Sequence, residues 1–501
     1  MINLVFKNRY LALGEGFYDK CKPTPVTQPE LIIFNHALAQ QLGVPAEGLD
    51  ETVLAGIFSG NLIHEGCEPL AMAYAGHQFG GFNPQLGDGR AIYLGEVEVA
   101  DGHSLDLQLK GSGPTRYSRN GDGRAALGPV LREYLLSEAM HKLGVPTTRA
   151  LAAVTTGEDV AREKLSPGGV ITRVASSFIR VGSFEYFARQ GDQLSVKKLA
   201  DYVIERNYPE LTAAGNRYLA LFEAVVIRQA GLIAKWMQLG FIHGVMNTDN
   251  MSVAGETIDY GPCAFMDFFQ HDMVYSSIDR QGRYAYNNQP NIGVWNLSRL
   301  AEALLPLFAD EPDQAVKLAE DILQRYADLY ANEWLAGFRA KCGLSARAMP
   351  EAAIKLAEDD TALLQSLLDI MAQGRADFHL TFYYLSQLDS EPGDRDVQLL
   401  ALFSDADTMS AWLLRWRQRL SAETQSDHER QFSMLSVNPV YIPRNHQIEA
   451  VIRAAEDHND FSAFHALHAL LQNPFSYQSG MDKYMLPPAA GEVVHQTFCG
   501  T

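Results

Sequence analysis

The chain has 501 residues, 47% of them hydrophobic and 20% charged, and a formal net charge of -19. That length suffices for two or three cores, or for one two-lobed body with a cleft, and the mixture is that of an ordinary globular protein. The acidic bulk argues against a binder of nucleic acid or anionic membrane, whose footprint is a broad basic face. The charge is uneven, however: residues 101 to 200 carry 14 Lys and Arg against 10 Asp and Glu. A locally basic stretch suits a compact anion such as a nucleotide, and fits ordinary solvated surface equally well. Five scattered cysteines (Cys21, Cys67, Cys263, Cys342 and Cys499) form neither a disulfide framework nor a CxxC pair, which points to a reducing compartment. The opening "MINLVFKNRYLALGEGFYDK" has no long apolar stretch with a small-residue cleavage site, and no run of 18 apolar residues occurs anywhere. These features predict a cytoplasmic protein with no membrane segment.

In chain order, "ELIIFNHALAQQLG" within the first 60 residues reads as a helix. The segments "AIYLGEVEV" and "SLDLQLK" alternate apolar and polar residues and predict two strands, joined by a hairpin turn at Asp101-Gly102. In the second strand Leu105, Leu107 and Leu109 point one way and Asp106, Gln108 and Lys110 the other, so Lys110 ends a strand on its polar face. "LGPVLREYLLSEAMHKLG" follows, with Leu127, Val130, Leu131, Tyr134 and Leu135 at helical spacing and Gly144 and Pro146 as the stop. Past residue 195 the pattern is mostly helical. "GNRYLALFEAVVIRQAGLIAKWMQLG" predicts a buried central helix, and 295–345, 350–390 and 405–425 predict helices with acidic solvent faces. A strand-rich half followed by a helical half predicts an α+β, two-lobed enzyme, though two independent domains fit the pattern almost as well.

The chemistry concentrates in a few places. "HGVMNTDNMS" at 243 to 252 has the frame of the kinase catalytic loop, H-R-D-L-x-x-x-N. Asn250 falls where that loop places a metal ligand, Val245 falls where it places its base, and Asp249 stands beside the Asn. Asp249 is then either a displaced base or a group that orients the metal. Asn250 and Asp259 are hard oxygen donors, as Mg²⁺ requires, and a tight hairpin around Gly255-Glu256 is expected to bring them together. "DYGP" at 259 to 262 mimics the kinase D-F-G with Tyr in the Phe place. Lys110 on a strand, followed by a helix bearing Glu133, is the arrangement that sets a lysine against nucleotide phosphates, with Glu138 as a rival partner. Two turns share one word, "LGDGRA" at 86 to 91 and "NGDGRA" at 120 to 125, and freed backbone N–H groups with an Arg at the edge cradle oxyanions. Arg173 and Arg180, seven apart, would share a face on a helix. "ALGEGFYD" at 12 to 19 is too loose a match to a glycine loop to be given a role.

Taken together the pieces resemble the selenoprotein O, or YdiU, family of kinase-like protein adenylyltransferases. The resemblance runs nearly end to end, through "GHQFG" at 76, "LKGSGPTRYSRNGDGRA", "REYLLSEAMH", "GVPTTRAL", "HGVMNTDNMS", "DYGP", "NNQPNIGVWNLSRLA", "SVNPVYIPRN" and "LQNPFS". It implies a protein-kinase-like bilobal fold, with an N-lobe over 1–190 and a helical C-lobe over 191–501. ATP would lie in the opposite sense to that in kinases, so that its α-phosphorus faces the acceptor; composition and spacing do not bear on that reversal. AMP would pass to a Ser, Thr or Tyr hydroxyl of another protein with release of pyrophosphate, and bacterial members are also linked to UMP transfer with manganese. On matching positions the resemblance implies nucleotide contacts by Gly87, Gly89, Arg90, Lys110, Asp122, Gly123, Arg173 and Arg180. It also implies Asn250 and Asp259 as ligands of Mg²⁺ or Mn²⁺ and Asp249 as proton acceptor. Cys499, two residues from the C-terminus, matches the cysteine or selenocysteine with which members of the family often end. The competing readings are a γ-phosphoryl kinase, which Val245 disfavours, and a silent ATP-binding pseudokinase scaffold, which has no need of metal ligands.

Overall fold

In the computed structural model, which describes residues 4–44, 48, 50–100, 102–162, 164–345 and 350–498, strands dominate the first part of the chain and helices the rest. The α+β, two-lobed arrangement expected from the sequence is therefore present. The main sheet is antiparallel, and its path runs through Tyr18–Lys20, Leu70–Met72, Ala91–Glu98, Ser104–Lys110, Leu165–Ala175, Arg149–Ala161 and Glu30–Phe34. Glu98 pairs with Ser104 at the hairpin expected between the two alternating segments. Asp101 of the proposed turn lies outside the described residues, as does Cys499.

Alternation decides what each sheet face packs against. Leu107 and Leu109 join Val154, Val170 and Val174 in a core closed by Leu38, Leu54 and Phe58. On the opposite face the Leu127–Lys142 helix contributes Leu127, Val130, Leu131, Tyr134 and Leu135 to a second core with Ala150, Ala153 and Ile171. That helix is not amphipathic in place: from Val130 to Met140 every residue is buried, because the Asn445–His458 and Ser462–Leu471 helices return to cover its outer side. The Arg217–Gln238 helix runs through the helical part and packs on Gln289–Phe308 and Pro312–Lys341. Further helices span Pro350–Gly374, Phe378–Leu385 and Ala406–Leu420, close to the expected positions. Among the described residues no helix is long and apolar enough to cross a membrane.

One early element differs from expectation. "ELIIFNHALAQQLG" is a strand, Glu30–Phe34, followed by a short helix, His36–Gln41. Asn35 separates them, its side chain accepting the Leu38 N–H at 3.1 Å as an N-cap. The β-branched pair Ile32-Ile33 favours a strand, and Arg149–Ala161 supplies the hydrogen-bonding partner that a sequence window does not reveal.

Candidate active site

The polar face of the Ser104–Lys110 strand is buried, and each of its three side chains has charged or polar partners. Asp106 pairs with Arg206 at 2.6 Å, Gln108 donates to Asp88 at 3.1 Å, and Lys110 donates to Glu133 at 2.6 Å. Of the two candidate carboxylates for Lys110, Glu133 is the partner. Glu138 is engaged elsewhere, by Arg149 at 2.8 and 2.7 Å and by the Ala150 N–H at 2.9 Å.

Strand register brings Arg173 opposite Gln108 in the antiparallel pair, on the same face as Lys110. Arg173 donates to Glu133 at 2.5 Å and to Asp259, while Arg180 reaches Asp259 at 3.3 Å and Lys110 reaches it at 3.3 Å. The expectation that Arg173 and Arg180 share a helix face is corrected here. Arg173 is on the Leu165–Ala175 strand and Arg180 precedes the Val181–Ala188 helix, and the two converge through Asp259 instead. Burial alone would raise the Asp259 carboxyl, but Arg173, Lys110 and Arg180 hold it well below the usual carboxylate range. Burial, aided by Arg173, pushes the Lys110 ammonium down.

The segment from Asn250 to Asp259 also departs from the expected hairpin. It turns at Gly255, whose N–H meets the Ser252 carbonyl at 3.1 Å, but its two limbs do not pair with each other. Ser252 bridges to Arg180 and Thr257 to Thr147, so each limb is held by a different part of the chain. Asp259 adopts φ +65°, a conformation tolerated by Asp better than by most side chains. Tyr260, in the Phe place of the D-F-G frame, is buried and bonds Thr147. His243 ties the catalytic loop to this turn through the Ile258 carbonyl at 2.9 Å.

Asp249 is 6% exposed. Its Oδ2 accepts from Gln78 Nε2 at 3.0 Å, and its Oδ1 is buried with no hydrogen-bond partner. Burial raises its carboxyl to about 6, against the opposing effects of Gln78 and Arg180. A carboxylate left partly unsatisfied in this way is a stronger base than one in water and remains ionised near neutrality, which suits a proton acceptor. Val245, where a kinase has its base, is buried and apolar.

These groups line one cleft of about 600 Å³. Gly87, Gly89, Arg90, Lys110, Asp122, Gly123, Arg173, Arg180, Asp249, Asn250 and Asp259 all face it, and Glu133 lies behind Lys110. Glycine is required in both glycine-rich turns. A Cβ on Gly87 would fall 2.2 Å from the Tyr117 ring and one on Gly123 2.1 Å from the Gly113 carbonyl oxygen, at φ of +69° and +65°. Asp122 does not point a free carboxylate at the cleft: Arg162 holds it through two bonds of 2.8 Å, and the Arg124 N–H adds a third at 2.9 Å.

The family model described as "Protein adenylyltransferase SelO" matches residues 1–472. A protein of Rhizobium meliloti (strain 1021) named "Protein nucleotidyltransferase YdiU" is 56% identical over 496 residues, 99% of each chain. A protein of the same name from Rhodopseudomonas palustris (strain HaA2) is 55% identical over 500 residues, 100% of each chain to the nearest percent. The chain belongs to the SelO/YdiU family.

In this SelO/YdiU chain the cleft also holds groups that the sequence reading passed over. Asp88 lies in the middle of "LGDGRA" and is buried beside Arg180 at 3.8 Å. Tyr74 stacks under the Arg180 guanidinium at 4.5 Å. Arg119 and Arg162 also line the cleft, Arg162 through its pair with Asp122. Gln78 is signalled only by "GHQFG". For a divalent cation the fit rests on oxygen chemistry. Asn250 gives its Nδ2 to the Val245 carbonyl at 3.0 Å, so that its Oδ1 is the atom a cation could meet, and Asp259 offers a carboxylate. No group of three or more His, Cys, Asp or Glu able to hold a metal occurs among the described residues. One amide oxygen and one carboxylate suit Mg²⁺ or Mn²⁺, whose remaining positions go to water and substrate phosphate.

Proposed function

We propose that this chain transfers AMP from ATP to Ser, Thr or Tyr hydroxyls of target proteins, with UMP from UTP as the variant reaction, and that it acts in the cytoplasm. What carries the reading is the end-to-end similarity to relatives named for nucleotidyl transfer to protein. The cleft is suited to that chemistry, though its cations, oxygen pair and carboxylate would serve cleavage of either phosphoanhydride bond.

The residues divide the work. The side chains of Arg90, Lys110, Arg173 and Arg180 bind the phosphates, the two glycine turns let the backbone come close to them, and Glu133 holds Lys110 in place. Asp259 neutralises Lys110, Arg173 and Arg180. Phosphate oxygens are the other anions with which those three cations can pair, which would leave the Asp259 carboxylate to a metal. Asn250 and Asp259 would hold Mg²⁺ or Mn²⁺, which would supply charge neutralisation at the phosphates. The acceptor oxygen forms a bond to the α-phosphorus, its proton passes to the Asp249 carboxylate, and the bond from the α-phosphorus to the bridging oxygen breaks. Pyrophosphate leaves with that electron pair, and the product is a phosphodiester between AMP and the acceptor. A γ-phosphoryl kinase of the usual design is disfavoured because the position of its base is the buried, apolar Val245.

The test is incubation of the pure protein with target extract, Mg²⁺ or Mn²⁺, and ATP labelled at either the α or the γ position. Label is expected in protein from the α form only. Protein labelled only by the γ form would replace this reading with an ordinary kinase.

A further inference from the structure

"GHQFG" is a conspicuous word whose Gln78 and Phe79 line the cleft without a part in the phosphate contacts given above. It forms a hairpin of Gly76–Gln78 and Gly81–Asn83, set against the catalytic loop. Three successive residues of the hairpin bond three successive residues of that loop. The His77 N–H donates to Thr248 Oγ1 at 2.6 Å, Gln78 Nε2 to Asp249 Oδ2 at 3.0 Å, and the Phe79 N–H to Asn247 Oδ1 at 3.2 Å. The hairpin is itself anchored: the buried His77 ring meets Glu185 at 2.5 Å, and Phe79 takes φ +51° while its N–H also reaches the Tyr284 hydroxyl at 3.1 Å. Gly76 makes room for the carboxylate, since a Cβ there would stand 2.8 Å from Asp249 Oδ1.

One side-chain bond thus fixes the Asp249 carboxylate, because its Oδ1 has no partner. A buried carboxylate without that restraint would turn toward the cation beside it. That cation is Arg180, whose Nη1 already bonds the Asp249 carbonyl at 2.9 Å. We propose that Gln78 is a positioning residue for proton transfer, holding the Asp249 carboxylate at the cleft and away from Arg180. The proposal rests on the function given above, in which Asp249 accepts the acceptor proton. Gln78 is half-buried at the cleft edge, so removing its amide leaves the cores untouched.

The experiment compares wild type with Gln78→Met, which removes the donor at similar side-chain length, by steady-state transfer of AMP to a protein acceptor. A misplacement of about 1 Å costs on the order of 10²-fold. The expected result is a kcat lower by about 10- to 100-fold, with the KM for nucleotide, the KM for acceptor and the thermal midpoint all unchanged. Gln78→Ala repeats the measurement if the Met variant does not fold. An unchanged kcat overturns the proposal, as does a loss confined to either KM, which would mean direct contact with that substrate. If wild type itself transfers no AMP, the functional reading fails instead, so the two failures are distinguishable.

Discussion

Glu133→Gln removes one negative charge and almost no volume from the buried cluster of Lys110, Arg173, Arg180 and Asp259. Glu133 is 4% exposed and accepts from Lys110 at 2.6 Å and Arg173 at 2.5 Å. Burial would raise its carboxyl, but Arg173 and Lys110 bring it below the ordinary value, so it is ionised at neutral pH. An amide in its place leaves two buried cations with Asp259 as their shared counter-charge, and breaking a buried pair from one side costs about 3–5 kcal/mol. Unfolding entropy of about 2.1 cal/mol/K per residue gives about 1 kcal/mol/K for the whole chain, so the thermal midpoint should fall by about 3–5 °C. The functional effect is separate. Lys110, already 3.3 Å from Asp259, closes on it and leaves the phosphates. Losing a hydrogen bond to a charged group, about 1.5–3 kcal/mol, lowers turnover by about 10- to 100-fold. The assay is AMP transfer at saturating nucleotide and metal beside a thermal melt, with Glu138→Gln as the control. Glu138 is also buried but bonds Arg149, Ala150 and Asn35, so its variant should lose stability and keep turnover. Equal losses of turnover in the two variants, or wild-type turnover in Glu133→Gln, would refute the assignment.

Asp249→Asn should lower the transfer rate by about 10²–10⁴-fold with nucleotide affinity unchanged; near wild-type turnover on raising Mn²⁺ would make Asp249 a metal-shell group instead. Gly123→Ala, strained by φ +65° and by the Gly113 carbonyl, should weaken nucleotide binding by about tenfold, read by calorimetry; unchanged affinity would remove this turn from the phosphate site. Lys341 is buried against Phe378 and Phe382, and burial pushes its ammonium down to about 7. The unfolded chain keeps its proton up to about pH 10, so the penalty on the folded state is full below pH 7 and fades as pH rises toward the unfolded value. Lys341→Met should therefore stabilise the protein at pH 7 by on the order of 4 kcal/mol, a gain that shrinks toward pH 10 in chemical denaturation; a gain independent of pH would show that the lysine is not neutralised by folding.

What could be read from the sequence divides by range. Lys110 at the end of a polar strand face follows from alternation within seven residues, and the helix after it from local spacing. Alternation does not reveal that the polar face is buried. Asp106, Gln108 and Lys110 are satisfied by Arg206, Asp88 and Glu133, which come from distant parts of the chain. The choice between Glu133 and Glu138 depends on how the helix is rotated against the sheet, which tertiary packing decides. The misplacement of Arg173 has the same origin, since pairing with Ser104–Lys110 on one side and Arg149–Ala161 on the other makes its segment a strand. Gln78 has no local chemistry to mark it, and its meaning appears once Asp249 is beside it.

The most direct test of the central claim is the mass of a modified acceptor peptide after incubation of target protein with the enzyme, ATP and Mg²⁺ or Mn²⁺. The account predicts an adenylyl adduct on a Ser, Thr or Tyr side chain, absent when Asp259→Ala replaces wild type. A phosphoryl adduct in its place, or an adenylyl adduct formed equally well by the Asp259 variant, would contradict it.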